Sequence, residues 1–322
     1  MLILNQKDIL RAVNRNEIVD SVETALRLYE EKKFHMPDRM HVDYQGKTLL
    51  LMPCFSQKNM GTKLVSLFPE NEKKDFPVLF GVMVLNDGDT GKPLAVLDGA
   101  ALTALRTGAV GSVSIRHMTS KKVSTLGIVG AGVQGFHQTI TACTQRDFES
   151  IYVFDRVQEK ADQLKVKLSS ELKDSEVIQA KSAEELVKES EVVITATTSM
   201  EPVLPDKERL FLRKHIVGIG SYKPNMREFP KALFKNIKTL TVDTEHALVE
   251  SGDLKIPLEK GWIKKNRILT LGRIIMGKSS MNLEGEGTSV FKSVGMALFD
   301  LVVSEFIYQK AKEKGLGQEV HF

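Results

Sequence analysis

The 322-residue chain is poor in several features, and each scarcity excludes a class of protein. Cysteine occurs only at Cys54 and Cys143, with no CxxC pair. That spacing offers no thiol-redox or zinc site and suggests no disulfide framework. No apolar run approaches the ~20 residues of a bilayer span. After Met1-Leu2-Ile3-Leu4 the chain turns polar at once, without the apolar stretch of a secretory leader. The expectation is a cytoplasmic chain with no membrane partner. Charge of one sign is scarce as well: 45 Lys and Arg against 41 Asp and Glu leave a net +4. The densest basic cluster, Lys264-Lys265-Asn266-Arg267, offers too few phosphate contacts to bind nucleic acid. The seven histidines are scattered, with no HxxxH or HExxH spacing, so no metal is expected, and His215 at the start of a strand reads as structural. No Gly-x-Ser-x-Gly elbow occurs. The remaining composition, 42% hydrophobic and 27% charged, suits a globular enzyme long enough for two cores.

Along the chain, residues 1–36 show mostly three- and four-residue apolar spacing from Ile9 to Tyr29, predicting helix up to Pro37. Residues 39–53 alternate loosely about a Gln45-Gly46 turn and read as a hairpin. Further strands are expected at 63–68 and 80–85, followed by a turn at 86–91, which makes the N-terminal third α+β. At about residue 119 strand and helix begin to alternate. Strands are read at 123–129, 151–154, 177–180, 192–195, 216–219 and 240–242, with helices between the earlier ones. Ser182 with Glu185 fits a capping box. This rhythm predicts an α/β fold with a doubly wound, mostly parallel sheet. The last 35 residues are read as a long helix with Val290, Val294, Leu298, Leu301, Val302, Phe306 and Ala311 on its apolar side, packing back on the first domain. The expected domains are 119–287 and, from the two chain ends together, 1–118 with 288–322.

The run Thr125-Leu126-Gly127-Ile128-Val129 leads directly into Gly130-Ala131-Gly132-Val133-Gln134-Gly135. A bare GxGxxG is a weak signal, but a strand before it and a helix after it make it a Rossmann phosphate loop. Gly130 permits the tight turn, Gly132 lets backbone N–H groups reach a pyrophosphate, and Gly135 lets the helix pack closely on the strand. The helix N-terminus then faces the phosphate charge. Asp155 stands about 20 residues on, after Ile151-Tyr152-Val153-Phe154, where a carboxylate accepts hydrogen bonds from ribose hydroxyls. Its charge favours NAD over NADP. Arg156 leaves NADP possible, because a guanidinium there can hold a 2′-phosphate.

Several segments together resemble the ornithine cyclodeaminase/mu-crystallin family over nearly the whole chain. They are Arg39 with Leu51-Met52-Pro53, Gly61-Thr62-Lys63, Asp89-Thr90-Gly91-Lys92-Pro93, Leu102-Thr103-Ala104-Leu105-Arg106-Thr107-Gly108-Ala109, the glycine loop, and Phe291-Lys292-Ser293-Val294-Gly295 followed by Asp300-Leu301. The Leu-Thr-Ala-Leu-Arg-Thr segment is the most specific. The resemblance implies a homodimer, a substrate and dimerisation domain built from both chain ends, and a site between the two domains. It also implies hydride transfer between a nicotinamide and the α-carbon of a small amino or imino acid. Carried across, Arg39, Lys63 and Arg106 would hold the substrate carboxylate, with Lys63 and Arg106 also in catalytic roles. Guanidinium groups suit bidentate carboxylate binding, and a lysine in a cleft can act as an acid–base group. Val133 and Gln134 match positions whose backbone meets the pyrophosphate. Thr197 and Thr198 would lie near the ribose or nicotinamide, with Ile219 and Gly220 at the end of the fifth strand. Ser293 on the cofactor side and Val294 on the substrate side would close the pocket.

The chain departs from the family pattern after the fifth strand. Ornithine cyclodeaminases carry a Gly-Gly-Asp run before Pro-Gly-Lys there, whose aspartate is the base for cyclisation. Here the segment is Gly220-Ser221-Tyr222-Lys223-Pro224-Asn225-Met226-Arg227-Glu228. Tyr222 stands in the aspartate's place, and a phenol is a poor base at neutral pH. Tyr222 is therefore expected to line the substrate end, and the reading is a reductase or dehydrogenase acting on a small imino or amino acid. Two alternatives stay open: an ornithine cyclodeaminase with its base supplied elsewhere, and a nucleotide-loaded binding protein of the mu-crystallin type.

Overall fold

The computed structural model describes residues 1–279 and 287–321. It divides into two compact units, Met1–Arg106 with Met296–Phe322, and Thr107–Gly295. The sequence put the divisions at 118/119 and 287/288. The first actual division falls inside the helix Gly99–Met118, because its second half packs within the second unit. A Cβ at Gly108 would lie 2.7 Å from the His137 carbonyl oxygen, and one at Gly111 would lie 2.2 Å from Gln138 Oε1.

The first unit is built on an eight-stranded sheet whose central meander is Lys47–Ser56, Asn59–Leu67, Leu79–Asp87 and Pro93–Asp98. Met40–Tyr44 pairs with Lys47–Ser56 as the expected hairpin. The helices Arg15–Glu31 and Ala297–Glu313 pack on each other, and the latter covers the three strands from Lys47 to Asp87. Asn5 and Asn14 each close a capping box that starts an N-terminal helix. Residues 2–4, expected to be helical, instead form a strand pairing parallel with Pro93–Asp98 and antiparallel with Gln318–Glu319. The pairing partners lie far away in sequence, so local periodicity does not reveal them.

The second unit holds eight parallel strands in the order Glu176–Gln179, Ser150–Phe154, Thr125–Val129, Val192–Thr195, His215–Gly218, Thr288–Lys292, Ile237–Val242, Ile268–Thr270. The order reverses between Thr125–Val129 and Val192–Thr195, the switch point where ligands of open α/β sheets collect. One correction matters here. Val290 belongs to a strand, Thr288–Lys292, inserted into the sheet, and the last helix starts only at Ala297. Four of the strand's five residues are buried but only Val290 and Phe291 are apolar, so the segment carries no hydrophobic period that separates strand from helix. Among the described residues no helix is long and apolar enough to cross a membrane, and no group of His, Cys, Asp and Glu could hold a metal.

Candidate active site

In the first unit, three charged side chains converge in a buried place. Lys63 projects from Asn59–Leu67, Arg106 from Gly99–Met118, and Asp300 from the first turn of Ala297–Glu313. Asp300 Oδ1 accepts hydrogen bonds from Lys63 Nζ at 2.8 Å and Arg106 Nε at 3.0 Å. Lys63 also donates to Thr103 Oγ1 at 3.2 Å, and that hydroxyl donates in turn to the Gly99 carbonyl. Lys63 and Asp300 are 2% and 1% exposed, Arg106 7%, so these charges interact through little water. Burial pushes the Lys63 ammonium down to about 8; Asp300 holds it up, and Arg106 and Arg39 press it lower. Arg39, half-buried just before Met40–Tyr44, acts on Lys63 through its charge. Burial favours the neutral Asp300 carboxyl, but Arg106 and Lys63 together hold it below the usual carboxylate range.

The sequence reading named Lys63, Arg106 and Arg39 but gave Asp300 no role. Its only signal was the closing motif. A lone aspartate on a helix is ordinarily solvated, and only the tertiary fold reveals its two cationic partners.

In the second unit, the glycine loop joins Thr125–Val129 to the helix Val133–Ala142. Gly130 has φ +108°, and its Cβ would lie 2.6 Å from the Ala196 carbonyl oxygen. A Cβ at Gly135 would lie 2.0 Å from the Gly130 carbonyl oxygen, whereas one at Gly132 would face nothing within 4 Å. The loop is thus closed on the protein side and open outward. Gly132 is the helix N-cap and supplies no side-chain cap, so first-turn N–H groups remain for an anion. A cleft of about 640 Å³ lies against the loop, lined by Gly130, Gly132, Asp155, Arg156, Thr197 and Thr198 among others. This cradle fits a dinucleotide. Val133, Gln134, Gly135, Ile219, Gly220 and Ser293 are not on the cleft wall. Lys160, which sequence reasoning did not single out, is on it beside Arg156. Asp155 is already engaged: its two oxygens accept from Ala131 N at 2.8 Å and Val157 N at 2.9 Å. It therefore fixes the loop, and one lone pair on each oxygen remains for a sugar hydroxyl.

Two further buried carboxylates, to which the sequence assigns no role, set the strand ends. Glu228 accepts from Thr195 Oγ1, Thr197 N and Oγ1, Gly220 N and Ser221 N. Burial pushes its carboxyl up, while Lys292 and the Thr197 donors oppose that shift and Asp253 adds to it. Lys292, itself fully buried, lies 3.3 Å from Asp253 Oδ2. Asp243 accepts from Ser293 Oγ, Val294 N and Gly295 N, which fixes the turn after Thr288–Lys292. Ser293 and Val294 are thus both buried and held by one aspartate. Tyr222 lies outside these braces and is 37% exposed. His215 is bracketed by Ser114 Oγ at 3.1 Å and Ser289 Oγ at 2.9 Å. Burial, with Arg146 adding, pushes it down to about 3, so it stays neutral and structural.

Comparison with known proteins agrees with this geometry. The model of the ornithine cyclodeaminase/mu-crystallin family matches residues 1–315. A Delta(1)-pyrroline-2-carboxylate reductase of Bacillus cereus is 32% identical over 328 residues, covering all of both chains. The structure of the Thermococcus litoralis Delta(1)-pyrroline-2-carboxylate reductase, in complex with NADH and L-proline, superposes with a TM-score of 0.92 at 33% identity, covering 99% of this chain and 100% of that one. An archaeal alanine dehydrogenase dimer with bound NAD superposes with a TM-score of 0.91 at 27% identity, covering 100% and 99%. The chain belongs to the ornithine cyclodeaminase/mu-crystallin family.

Proposed function

We propose that the chain is an NAD-dependent oxidoreductase that transfers hydride to the α-carbon of a small imino acid, and from the matching amino acid in reverse. The observation that carries this reading is the Lys63–Asp300–Arg106 cluster. Two cations and one anion leave a net single positive charge in a dry place, which suits one substrate carboxylate. NADH, when bound at the glycine loop, supplies the hydride. The chain supplies the rest. Arg106, aided by Arg39, clamps the carboxylate. Lys63 gives a proton to the imine nitrogen, forming the N–H bond as hydride forms the α-C–H bond, and is recharged from solvent. Because the acid form of Lys63 is required, the reduction rate is expected to fall as pH rises through about 8. The substrate class follows that of the pyrroline-2-carboxylate reductases and alanine dehydrogenase matched above.

The deciding assay follows absorbance of the reduced nicotinamide with Δ1-pyrroline-2-carboxylate, and with pyruvate plus ammonia, while testing separately for proline formed from ornithine. NADH consumption with an imino acid supports the proposal. Proline from ornithine with no net change in cofactor overturns it in favour of a cyclodeaminase, and tight NADH binding without any turnover overturns it in favour of a binding protein. Asp155 makes NADH the preferred cofactor over NADPH.

The working unit is a homodimer. Helices cover one face of the first unit's sheet. On the other face the register sets Leu64 opposite Val82 and Leu49 opposite Val42, and Phe80 precedes Val82 on the same side of its strand. Val42, Leu49, Phe80 and Val82 are each 42–49% exposed. A contiguous apolar sheet face of this kind marks an association surface, and the matched archaeal alanine dehydrogenase is a dimer. Val82→Glu adds a charge to that face without touching the core. It is expected to yield monomers in sedimentation velocity with the fold intact by circular dichroism, and an unchanged dimer would overturn the assignment.

A further inference from the structure

We propose that Asp300 is a positioning residue: through one carboxylate oxygen shared by Lys63 and Arg106, it keeps Lys63 charged as the proton donor and aims the Nη edge of Arg106 at the substrate carboxylate. This rests on the function proposed above and adds a role for a residue that touches neither substrate nor cofactor.

The hydrogen-bond inventory carries the argument. Asp300 takes Arg106 at Nε, so the guanidinium plane is fixed while Nη1 and Nη2 stay available for a bidentate carboxylate. A Lys ammonium has three N–H donors. Asp300 and Thr103 take two of them, which leaves one for substrate. Both bonds converge on Oδ1, and Oδ2 is buried without a partner among the described residues. Asp300 also sits in the first turn of its helix, where the helix dipole favours a negative charge. The carboxylate is thereby held ionised with no contribution from solvent.

The groups facing Lys63 come from every element around it. Arg106 from its helix and Arg39 ahead of the hairpin are cations that oppose its charge, as does burial itself. Cys54, on the neighbouring strand, is pushed up to about 12 by burial and by Asp300, so it stays neutral. Asp300 is therefore the counter-charge that keeps Lys63 protonated near neutral pH. An opposite charge at hydrogen-bond distance moves such a group by about one to three pH units.

The test compares wild type with Asp300→Asn in imine reduction from pH 5.5 to 9.5. The expected result is an alkaline limb moved about one to three units downward. At pH 8 kcat falls by about fivefold or more, and it recovers as pH is lowered, while KM for the imino acid changes by less than about threefold because the Nη edge survives. A limb at the wild-type position overturns the proposal, as does a loss of kcat that lower pH does not restore, since a merely structural role predicts the latter. If Asp300→Asn does not fold, Asp300→Glu decides: a retained charge should leave the limb in place while KM rises, and a moved limb overturns the proposal. A readout independent of turnover is the Nζ resonance of Lys63 in 15N-lysine-labelled protein, assigned with Lys63→Arg. In folded Asp300→Asn its titration should shift to lower pH, and an unmoved titration overturns the proposal even if no imino acid is turned over. Failure of all turnover in the wild type would count against the proposed function alone.

Discussion

Arg106→Leu should remove turnover while leaving NADH binding intact. The guanidinium is buried and bonded to Asp300 at 3.0 Å, so the substitution does two things at once. It deletes the bidentate donor for the substrate carboxylate, and it strips Asp300 of one of its two cationic partners. Truncating one partner of a buried, hydrogen-bonded charge pair costs about 2–5 kcal/mol of binding. Expressed wholly as lost transition-state binding, that is roughly 30-fold to 5,000-fold in kcat/KM. The net charge of the cluster falls to zero, so the carboxylate also loses its electrostatic attraction. Affinity for NADH is set by the glycine loop and Asp155 and is expected to hold within about threefold. Arg106→Lys separates charge from geometry. It restores the cation but not the planar fork, so it should recover only part of the loss, chiefly in KM. Steady-state kinetics with an imino acid, together with fluorescence titration of NADH, checks both variants. Wild-type KM in Arg106→Leu would remove Arg106 from the carboxylate clamp.

The parts of this protein that could be read from sequence are those whose signal is local. The glycine loop, the strand before it and Asp155 lie within 31 residues, and each glycine has a local steric reason to be there. The parallel sheet was legible because strand and helix alternate. The helix Gly99–Met118 was not, although it carries Thr103 and Arg106. It is buried on nearly every side, so it has no polar face to create a period. The strand Thr288–Lys292 was missed because only Val290 and Phe291 of its five residues are apolar, although nearly every position is buried, so its sequence shows no hydrophobic run. Asp300 and Asp243 escaped because their partners are remote: Lys63 is 237 residues from Asp300, and Ser293 is 50 from Asp243. Glu228 escaped although Gly220 and Ser221 are only eight and seven residues away, because it takes their backbone N–H groups, which no residue type announces. A buried carboxylate and a solvated one look alike in sequence. The Ser182–Glu185 box is an intermediate case. Ser182 does accept from Glu185 N, but Glu185 reaches back to Lys181 N rather than to the N-cap amide.

Gly135→Ala tests the loop with a contrast built into the structure. Alanine is the better helix former by about 1 kcal/mol, and Gly135 lies in the first turn of Val133–Ala142, so propensity alone predicts stabilisation. Packing predicts the reverse. The new Cβ would stand 2.0 Å from the Gly130 carbonyl oxygen, a backbone atom that cannot rotate away. Relief requires the helix start to move off the strand by about an ångström, and overpacking of this kind costs about 1–3 kcal/mol. The clash therefore outweighs the propensity gain, and the thermal midpoint should fall. Moving the helix start also carries the first-turn N–H groups away from the phosphate position, so the Kd for NADH should rise by about tenfold to a hundredfold. Gly132→Ala is the control. Its φ of −84° is ordinary for alanine, and its Cβ meets no protein atom within 4 Å. The apoprotein should keep its thermal midpoint, since the smaller entropy of the unfolded chain offsets the weaker N-cap that alanine makes, while NADH binding weakens because the methyl enters the space left open for phosphate. Gly135→Ala should thus lose both stability and affinity, and Gly132→Ala affinity alone. If both variants bound NADH like the wild type, the phosphate would have to sit elsewhere on the second unit.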